Sequence, residues 1–105
     1  MELACGIGRL TIPMAKRGLQ MVGVDLHEGM LERAKQKAKK QLVSIEFLLQ
    51  DCTKLNIPVK SSLVFMTGNS FQHFLTNELQ NALLQSVQQH GSYAHLGKRS
   101  IPLHC

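Results

Sequence analysis

The sequence predicts an α/β fold, in which a mostly parallel sheet is flanked by helices. Short apolar segments with strand character alternate with longer amphipathic segments, and this order favours parallel strands connected by helices. Turn residues follow the strand segments, and 105 residues are enough for about one domain. That length supplies fewer strand–helix steps than a complete doubly wound domain has, so we expect a partial version of that architecture.

Two helices and three strands are predicted in the first half of the chain. Pro13 lacks an N–H and fits best in the first turn of a helix, and Gly18 is a natural cap for the end of that helix. The predicted elements are, in order, a strand stub at residues 2–4, a helix from about residue 10 to 18, a strand at 20–25, a helix at 27–41 and a strand at 44–50.

The second predicted helix has one apolar face and one basic face. At 100° per residue its apolar side chains fall on a single arc, while most of the remaining surface is lysine and arginine. We expect the apolar arc to pack against the sheet and the basic face to be solvated. The arc consists of Met30, Leu31, Ala34, Ala38 and Leu42.

The second half of the chain is predicted to add a strand at residues 62–66 and a helix that begins near Thr76, a plausible N-cap. From residue 91 onward neither a helical nor a strand period is evident, and two glycines and a proline interrupt the segment. We therefore expect an ordered unit at residues 1–90 and an irregular tail at 91–105.

Composition excludes several classes of protein. The formal charge of +5 is concentrated, because five of the twelve basic residues lie between positions 33 and 40, which weakens the case for a nucleic-acid partner. The apolar runs are too short to cross a membrane and the start does not read as a signal sequence, so we expect a cytoplasmic protein. The cysteines and histidines lack metal-binding spacing, so no metal site is expected and the cysteines should be free thiols.

The residues with chemical potential follow the predicted strands. Gly6 and Gly8 follow the first strand, Asp25 ends the second and Asp51 follows the third. The segment 68–70, Gly-Asn-Ser, follows the fourth strand. Since ligands of open parallel sheets bind beyond the carboxyl ends of the strands, these turns predict a binding site at one edge of the sheet.

Two kinds of ligand suit that edge. A dinucleotide fingerprint requires glycine at three positions, and here the third is Thr11, although Asp25 stands 19 residues after Gly6 as expected. Asp51 adds a second acid, placed to accept a hydrogen bond from an adenine amino group beside a ribose held by Asp25. The two acids therefore favour a ligand that contains adenosine and no phosphate. A nicotinamide dinucleotide, and with it a nicotinamide-dependent oxidoreductase, is disfavoured.

Four segments resemble the class I S-adenosylmethionine-dependent methyltransferases. ELACGIGRL resembles their motif I, VGVDLHEGMLERAK the ribose-binding segment, QDCTKL the adenine-reading segment, and SLVFMTGNSFQHF the fourth strand and its loop. The resemblance covers residues 2 to about 89 in the family's order. It implies a partial Rossmann-like methyltransferase fold and S-adenosyl-L-methionine as cofactor.

The resemblance also implies roles for particular residues. The methionine part of the cofactor would be surrounded by Glu2, Ala4, Cys5, Gly6 and Gly8, and the sulfonium end would face Asn69. Asp25 would hold the ribose. Adenine would be contacted by Leu26, Met30, Asp51 and the Cys52 N–H. No catalytic base is assigned, because in-line alignment of an activated methyl group can supply most of the acceleration.

The resemblance has departures at both ends of the chain. The apolar run that should precede Glu2 and the family's fifth strand are not evident, so we expect a fragment whose exposed sheet edges would permit self-association. The favoured function is methyl transfer to an unidentified small-molecule acceptor. The alternative is a non-catalytic fragment or interaction module that retains the cofactor motifs.

Overall fold

The computed structural model describes residues 1–58, 61–67, 76–96 and 99–102. Every predicted strand and helix is present, and the ends differ from the predicted ones by about two residues at most. The elements are β1 (Glu2–Leu3), α1 (Thr11–Lys16), β2 (Val22–Asp25), α2 (Glu28–Lys40), β3 (Glu46–Leu49), a 3₁₀ helix (Cys52–Lys54), β4 (Val64–Met66), α3 (Asn77–Gln88), β5 (Tyr93–Leu96) and β6 (Arg99–Pro102).

The strands form one sheet in the order β3-β2-β1-β4-β5-β6. The first five are parallel to their neighbours, and β6 runs antiparallel to β5. The two residues of β1 lie between β2 and β4, with Glu2 in register with Gly23 on one side and Phe65 on the other. The prediction of an α/β fold with a mostly parallel sheet is confirmed.

The prediction of an irregular tail from residue 91 was wrong for the described part of that segment. Residues 93–96 form β5, which pairs with β4, and residues 99–102 form β6. In β5 the buried Ala94 and Leu96 alternate with the exposed Tyr93 and His95, a half-buried strand pattern only four residues long. The neighbouring glycines and proline obscured this short pattern in the sequence.

Two apolar clusters cover the two faces of the sheet. On one face Leu3, Val24 and Val64 pack with Leu83 and Val87 of α3, and all five are fully buried. The cluster on the other face contains Cys5, Ile12, Leu31, Ala34, Ala38 and Phe47. Helices α1 and α2 therefore cover one face and α3 the other.

The predicted apolar arc of α2 is only partly buried. Leu31, Ala34 and Ala38 pack in the core as predicted. Met30 is 45% exposed because it lies in the first turn of α2, beyond the end of β2, and Leu42 is 93% exposed because the helix ends at Lys40. The prediction that these two side chains pack against the sheet was wrong.

Leu42 occupies the left-handed position that ends α2. Its φ is 58°, its N–H donates to the Lys39 carbonyl oxygen at 3.2 Å, and the Val43 N–H donates to the Ala38 carbonyl oxygen at 3.1 Å. This is the Schellman arrangement, in which glycine is preferred because a Cβ is strained at positive φ.

We expect Leu42→Gly to stabilise the protein by about 1 kcal/mol, because it removes this strain and the exposed Leu42 side chain contributes little packing. Urea denaturation of both proteins measures the difference. Leu42→Ala is the control, since it removes the side chain and keeps the Cβ, and it should leave the free energy of unfolding nearly unchanged. A Leu42→Gly variant less stable than Leu42→Ala would contradict the assignment.

Ser86 and His90 fasten the loop after the 3₁₀ helix to α3. The Leu55 N–H donates to Ser86 Oγ at 2.8 Å, and the Ile57 N–H donates to His90 Nε2 at 3.1 Å. His90 Nδ1 lies 2.8 Å from the Ser86 carbonyl oxygen, so the ring is the neutral tautomer with its proton on Nδ1. The buried His90 thus has a structural role.

Candidate functional site

The turn after β1 is formed by backbone conformations that favour glycine. Gly6 and Gly8 have φ values of 57° and 84°. The Gly8 N–H donates to the Cys5 carbonyl oxygen, and the Ile12 N–H donates to the Gly8 carbonyl oxygen, both at 3.0 Å. A Cβ at Gly6 would meet no described atom closer than the Met30 sulfur at 3.8 Å. An added Cβ would therefore be in ordinary van der Waals contact with Met30, and it is the positive φ that favours glycine at this position.

Asp25 connects this turn to β2 and α2. Its Oδ2 accepts a hydrogen bond from the Gly6 N–H at 2.7 Å, and its Oδ1 accepts one from the His27 N–H at 2.8 Å. The residue is 7% exposed. A carboxylate has about four acceptor positions, so each oxygen can accept a further hydrogen bond. Sequence reasoning identified Asp25 but not its bonds to the backbone of the turn.

Glu2 and Thr11 form a buried pair beneath the same turn. The Thr11 hydroxyl donates to Glu2 Oε1, and Thr11 is 0% and Glu2 3% exposed. Burial raises the pKa of the Glu2 carboxyl, while the hydrogen bond from Thr11 opposes the increase. Sequence reasoning used Thr11 only as a mismatch to the dinucleotide fingerprint. The available signal was that Thr11 stands where the dinucleotide fingerprint has its third glycine.

Apolar side chains flank Asp25 at the carboxyl edge of the sheet, where the parallel strands end. Leu26 is 64% exposed and follows Asp25 directly, and Met30 lies in the first turn of α2. Leu49 is in register with Asp25 on the neighbouring strand and is 53% exposed. Leu49 was not among the residues predicted from the sequence, and the structure adds it to the apolar side chains exposed at this edge.

Asp51 begins the 3₁₀ helix that follows β3. Its Oδ1 accepts hydrogen bonds from the Thr53 N–H at 2.9 Å and from the Thr53 hydroxyl at 2.7 Å. These hydrogen bonds lower the pKa of Asp51, so the carboxyl is ionised at neutral pH. The bonds use one carboxylate oxygen, which leaves Oδ2 as an acceptor for a ligand.

Burial keeps the two described cysteine thiols protonated. Burial raises the pKa of Cys5 to about 12 and that of Cys52 to about 11. A thiol with such a pKa is almost entirely protonated at neutral pH and is a poor nucleophile. Their place in the candidate site is therefore one of shape and backbone hydrogen bonding.

The fold brings most of the predicted site residues to one edge. Glu2 and Asp25 both contact the segment from Gly6 to Thr11, and the Gln50 N–H donates to the Asp25 carbonyl oxygen at 3.1 Å, which ties the end of β3 to the end of β2. Asn69 lies outside the described residues, and so do Gly68, Ser70 and His73.

Other features of the described chain lie away from this edge. A cavity of about 710 Å³ at the opposite edge is lined by Met21, Leu63 and Phe65, among others, and by none of the predicted site residues. Within residues 1–58, 61–67, 76–96 and 99–102 no group of acids, cysteines and histidines could hold a metal ion. None of the helices described is both long and apolar enough to cross a bilayer.

The fold and the site together define a class of protein. A parallel sheet in this order, a glycine turn after its central strand and an acid at the end of the next strand are the features of an α/β domain that binds a nucleoside-containing cofactor. A sequence profile described as "Methyltransferase domain" matches residues 1–90. The chain belongs to the class I S-adenosylmethionine-dependent methyltransferase family.

Individual proteins show the same relationship. Carboxy-S-adenosyl-L-methionine synthase of a Nitratiruptor species is 34% identical over 89 residues, which are 82% of this chain and 36% of that protein. A 23S rRNA (uracil(1939)-C(5))-methyltransferase of Alcanivorax borkumensis is 38% identical over 55 residues, 51% of this chain and 12% of that protein. The chain spans about a third or less of the length of such relatives.

A solved structure with bound cofactor has the same fold. Magnesium protoporphyrin IX methyltransferase from Synechocystis PCC 6803, crystallised with S-adenosylmethionine, superposes with a TM-score of 0.79 at 28% identity. The match covers 96% of this chain and 50% of that one. The described strands and helices are therefore those of a methyltransferase fold.

Proposed function

We propose that this chain binds S-adenosyl-L-methionine at the carboxyl edge of its sheet and provides the cofactor-binding part of a methyltransferase. The observation that carries the proposal is Asp25, whose two oxygens each accept one backbone N–H and each retain capacity for a ribose hydroxyl. The turn supports it, because the same carboxylate accepts the Gly6 N–H and so lies beside the glycine turn at the carboxyl edge of the sheet.

The remaining roles follow from position along this edge. Glu2, Ala4, Cys5, Gly6 and Gly8 would border the methionine part, and Asp25 would hold the ribose. Leu26 and Met30 are sufficiently exposed to cover adenine, and Asp51 Oδ2 and the Cys52 N–H would read its polar edge. For Asn69, which lies outside the described residues, the family resemblance alone suggests a place at the sulfonium end.

The reaction needs mainly alignment from the protein. When bound, the cofactor would supply a methyl group that is activated on a sulfonium. Asp25 would hold the ribose, and the turn at Gly6 and Gly8 would border the methionine part; such alignment can lower the barrier without a catalytic base. We propose no catalytic residue.

Titration calorimetry of the purified 105-residue chain with S-adenosylhomocysteine tests the proposal. Saturable binding that is lost in Asp25→Ala would support it, and no binding to the folded wild-type chain would overturn it. An assay for transfer of a radiolabelled methyl group to a panel of acceptors then distinguishes a methyltransferase from a non-catalytic fragment or interaction module. Cofactor binding without transfer would favour a non-catalytic module.

We propose a small molecule as the methyl acceptor, with nucleic acid as the second candidate. The second candidate is favoured by the similarity to rRNA methyltransferases and by the lysines of α2. Of these lysines, Lys35 pairs with Glu32 at 3.3 Å, and both side chains are more than half exposed, so the pair contributes little to stability.

Changing Lys35, Lys37 and Lys39 together to glutamine should leave the dissociation constant for S-adenosylhomocysteine unchanged. Lys35 and Lys39 are exposed, Lys37 is half-buried, and none of the three has a proposed role in cofactor binding. A surface change of this kind usually alters stability by less than about 0.5 kcal/mol. Calorimetry checks the cofactor, and salt-dependent retention on immobilised RNA checks the second candidate. Retention by the wild type that the triple variant loses would replace the small-molecule proposal with a nucleic-acid one.

A further inference from the structure

We propose that the free side of β3 and the groove beside it bind an extended acidic peptide of a partner protein, which adds to the sheet as a further strand. The groove has a volume of about 510 Å³ and lies between the end of α2 and β3. None of the predicted cofactor-binding residues lines it, so the peptide site and the cofactor site can be tested separately. Its lining includes Lys35, Lys39, Leu42, Val43, Ile45 and Phe47.

Strand β3 has backbone groups that are available for pairing. Among the described strands it pairs with β2 alone. The Gln50 N–H donates to the Asp25 carbonyl oxygen, so the backbone at Gln50 faces β2. Backbone groups of successive residues in a strand point to alternate sides, so those of Phe47 and Leu49 face away from β2. Such a row of N–H and C=O groups can pair with an added strand.

The two outermost strands of the described sheet differ in how well they are protected from such pairing. Edge strands of natural proteins commonly carry proline or basic side chains, which discourage pairing with another chain. Strand β6 contains Arg99 and Pro102, whereas β3, with the sequence Glu-Phe-Leu-Leu, contains neither a proline nor a basic residue. The side chain of Glu46 lies on the face of the sheet opposite to that of Phe47. The free side of β3 is therefore open to an added strand.

An exposed leucine borders the groove. Leu42 is 93% exposed, and its φ of 58° is a conformation in which glycine is less strained. Next to it, Val43 and Ile45 are only partly buried. The folded chain gains little from the Leu42 side chain, but a peptide in the groove would cover it together with its two neighbours. The apolar area buried in this way would stabilise the complex.

The charges at the groove favour an acidic occupant. Lys35 and Lys39 both line the groove and are exposed, and none of the described residues that line it is acidic. Lys35 lies 3.3 Å from Glu32, but such an exposed pair contributes little and can give way to a carboxylate of a ligand. An acidic peptide would therefore be attracted to this surface.

The same observations disfavour two other occupants. A second copy of the chain carries the same formal charge of +5 and would be repelled. A nucleic acid would contact mainly the two lysines, since the rest of the lining is largely apolar and its aromatic ring, that of Phe47, is buried. A peptide uses the lysines, the apolar side chains and the backbone of β3 together.

Fluorescence polarisation with a labelled, end-blocked peptide tests the proposal on the whole 105-residue chain. The probe has a central Val-Thr-Val-Thr-Val segment, which favours a strand, and two glutamates at each end. We expect saturable binding with a dissociation constant below about 1 mM that weakens several-fold as the ionic strength rises from about 0.05 to 0.5 M. Lysines in place of the glutamates, or prolines in place of the threonines, should abolish binding.

Matched variants separate charge and apolar contact from folding. Changing Lys35 and Lys39 together to glutamine should raise the dissociation constant of the peptide at least about fivefold. Changing Arg33 and Lys40 together to glutamine removes the same charge from exposed positions of α2 outside the groove and should alter the constant by no more than about twofold. Leu42→Ala should also raise it at least about fivefold, although this variant should unfold at nearly the wild-type urea concentration.

Amide hydrogen exchange identifies the mode of binding. When the peptide is added, the N–H groups of Phe47 and Leu49 should exchange more slowly, because they would donate to the added strand. The N–H of Leu48 already faces β2, and its exchange should change little. Binding that leaves Phe47 and Leu49 unprotected would overturn the addition of a strand.

The other outcomes are also decisive. The proposal is overturned if the folded chain shows no saturable binding, or if the affinity for the peptide is the same in Leu42→Ala and in the variant without Lys35 and Lys39. Binding of a labelled oligouridylate in place of the peptide would make the groove a nucleic-acid surface. A dimer in sedimentation that Leu42→Ala dissociates would make it a self-association surface. Binding of S-adenosylhomocysteine is measured independently, so the proposed function stands or fails by itself.

Discussion

Asp25→Asn is expected to weaken binding of S-adenosylhomocysteine by about 1.5 to 3 kcal/mol, which is roughly a 10- to 150-fold increase in the dissociation constant. Asparagine retains one acceptor oxygen, but its NH₂ must face the N–H of either Gly6 or His27, which are 2.7 and 2.8 Å from the carboxylate in the wild type. The variant therefore loses a ribose acceptor and disturbs the turn as well.

Titration calorimetry measures the affinity, and urea denaturation measures how much of the loss is structural. Asp51→Ala should cost less affinity, since a single amino-group contact is lost in place of two hydroxyl contacts. Glu28→Gln is the matched control, because Glu28 lies three positions from Asp25 on the exposed surface of α2 and has no proposed role. An unchanged dissociation constant in Asp25→Asn would refute the assignment of the ribose to this carboxylate.

Gly8→Ala is expected to reduce the free energy of unfolding by roughly 2 to 4 kcal/mol, a large share of the total stability of a domain this small. A Cβ at this position would stand 3.0 Å from Ile12 Cδ1 while φ is 84°. The left-handed backbone accounts for about 1 kcal/mol and the overpacking for about 1 to 3 kcal/mol.

Three other glycines separate these two contributions. At Gly18 φ is 93°, and an added Cβ would have no atom within 4 Å apart from the adjacent residues. Gly18→Ala should therefore reduce the free energy of unfolding by only about 1 kcal/mol. At Gly23 the added Cβ would lie 2.9 Å from the Phe47 ring without positive φ, so alanine should cost about 1 to 3 kcal/mol. Gly29 in α2 has neither constraint, and alanine should stabilise by about 0.5 to 1 kcal/mol.

Urea denaturation of the four alanine variants ranks these effects. We expect Gly8→Ala to be the most destabilising of the four variants and Gly29→Ala to be the only one that stabilises the protein, with Gly18→Ala and Gly23→Ala between them. A Gly8→Ala variant no less stable than Gly18→Ala would show that Ile12 moves aside without cost, and the close approach of α1 to the turn would then not be a constraint on the sequence.

The order of strands and helices could be predicted because each long element has a clear period and a clear boundary. Helix α2 has buried residues at helical spacing, and Gly18 and Thr76 mark helix ends where the structure has them. Strand β5 could not be predicted, because its four residues alternate too briefly to stand out between glycines. Short half-buried strands become evident only when a neighbour such as β4 supplies their hydrogen bonds.

The candidate site was predictable as a set of positions but not as a set of contacts. Asp25 and Gly6 are 19 residues apart, and only the register of β1 against β2 brings the carboxylate to the N–H of the turn. The pairing of Glu2 with Thr11 depends in the same way on where α1 begins. In the sequence Thr11 is only a mismatch to the dinucleotide fingerprint. Its hydrogen bond to Glu2 could not be predicted, because side-chain hydrogen bonds depend on three-dimensional placement and not on local pattern.

The position of β1 in the middle of the sheet has a consequence for folding. Strands β1 to β3 and their helices come from the first 49 residues, while β4 to β6 come from residues 64–102, so each half of the sheet is built from nearby sequence. In the sheet the halves are joined where Glu2 lies in register with Phe65 and the Phe65 N–H donates to the Met1 carbonyl oxygen at 3.0 Å. On one face they also share the core in which Leu3 and Val24 pack with Leu83 and Val87. Because these contacts join residues that are far apart in the sequence, we expect each half to collapse first and the contacts between the halves to form last.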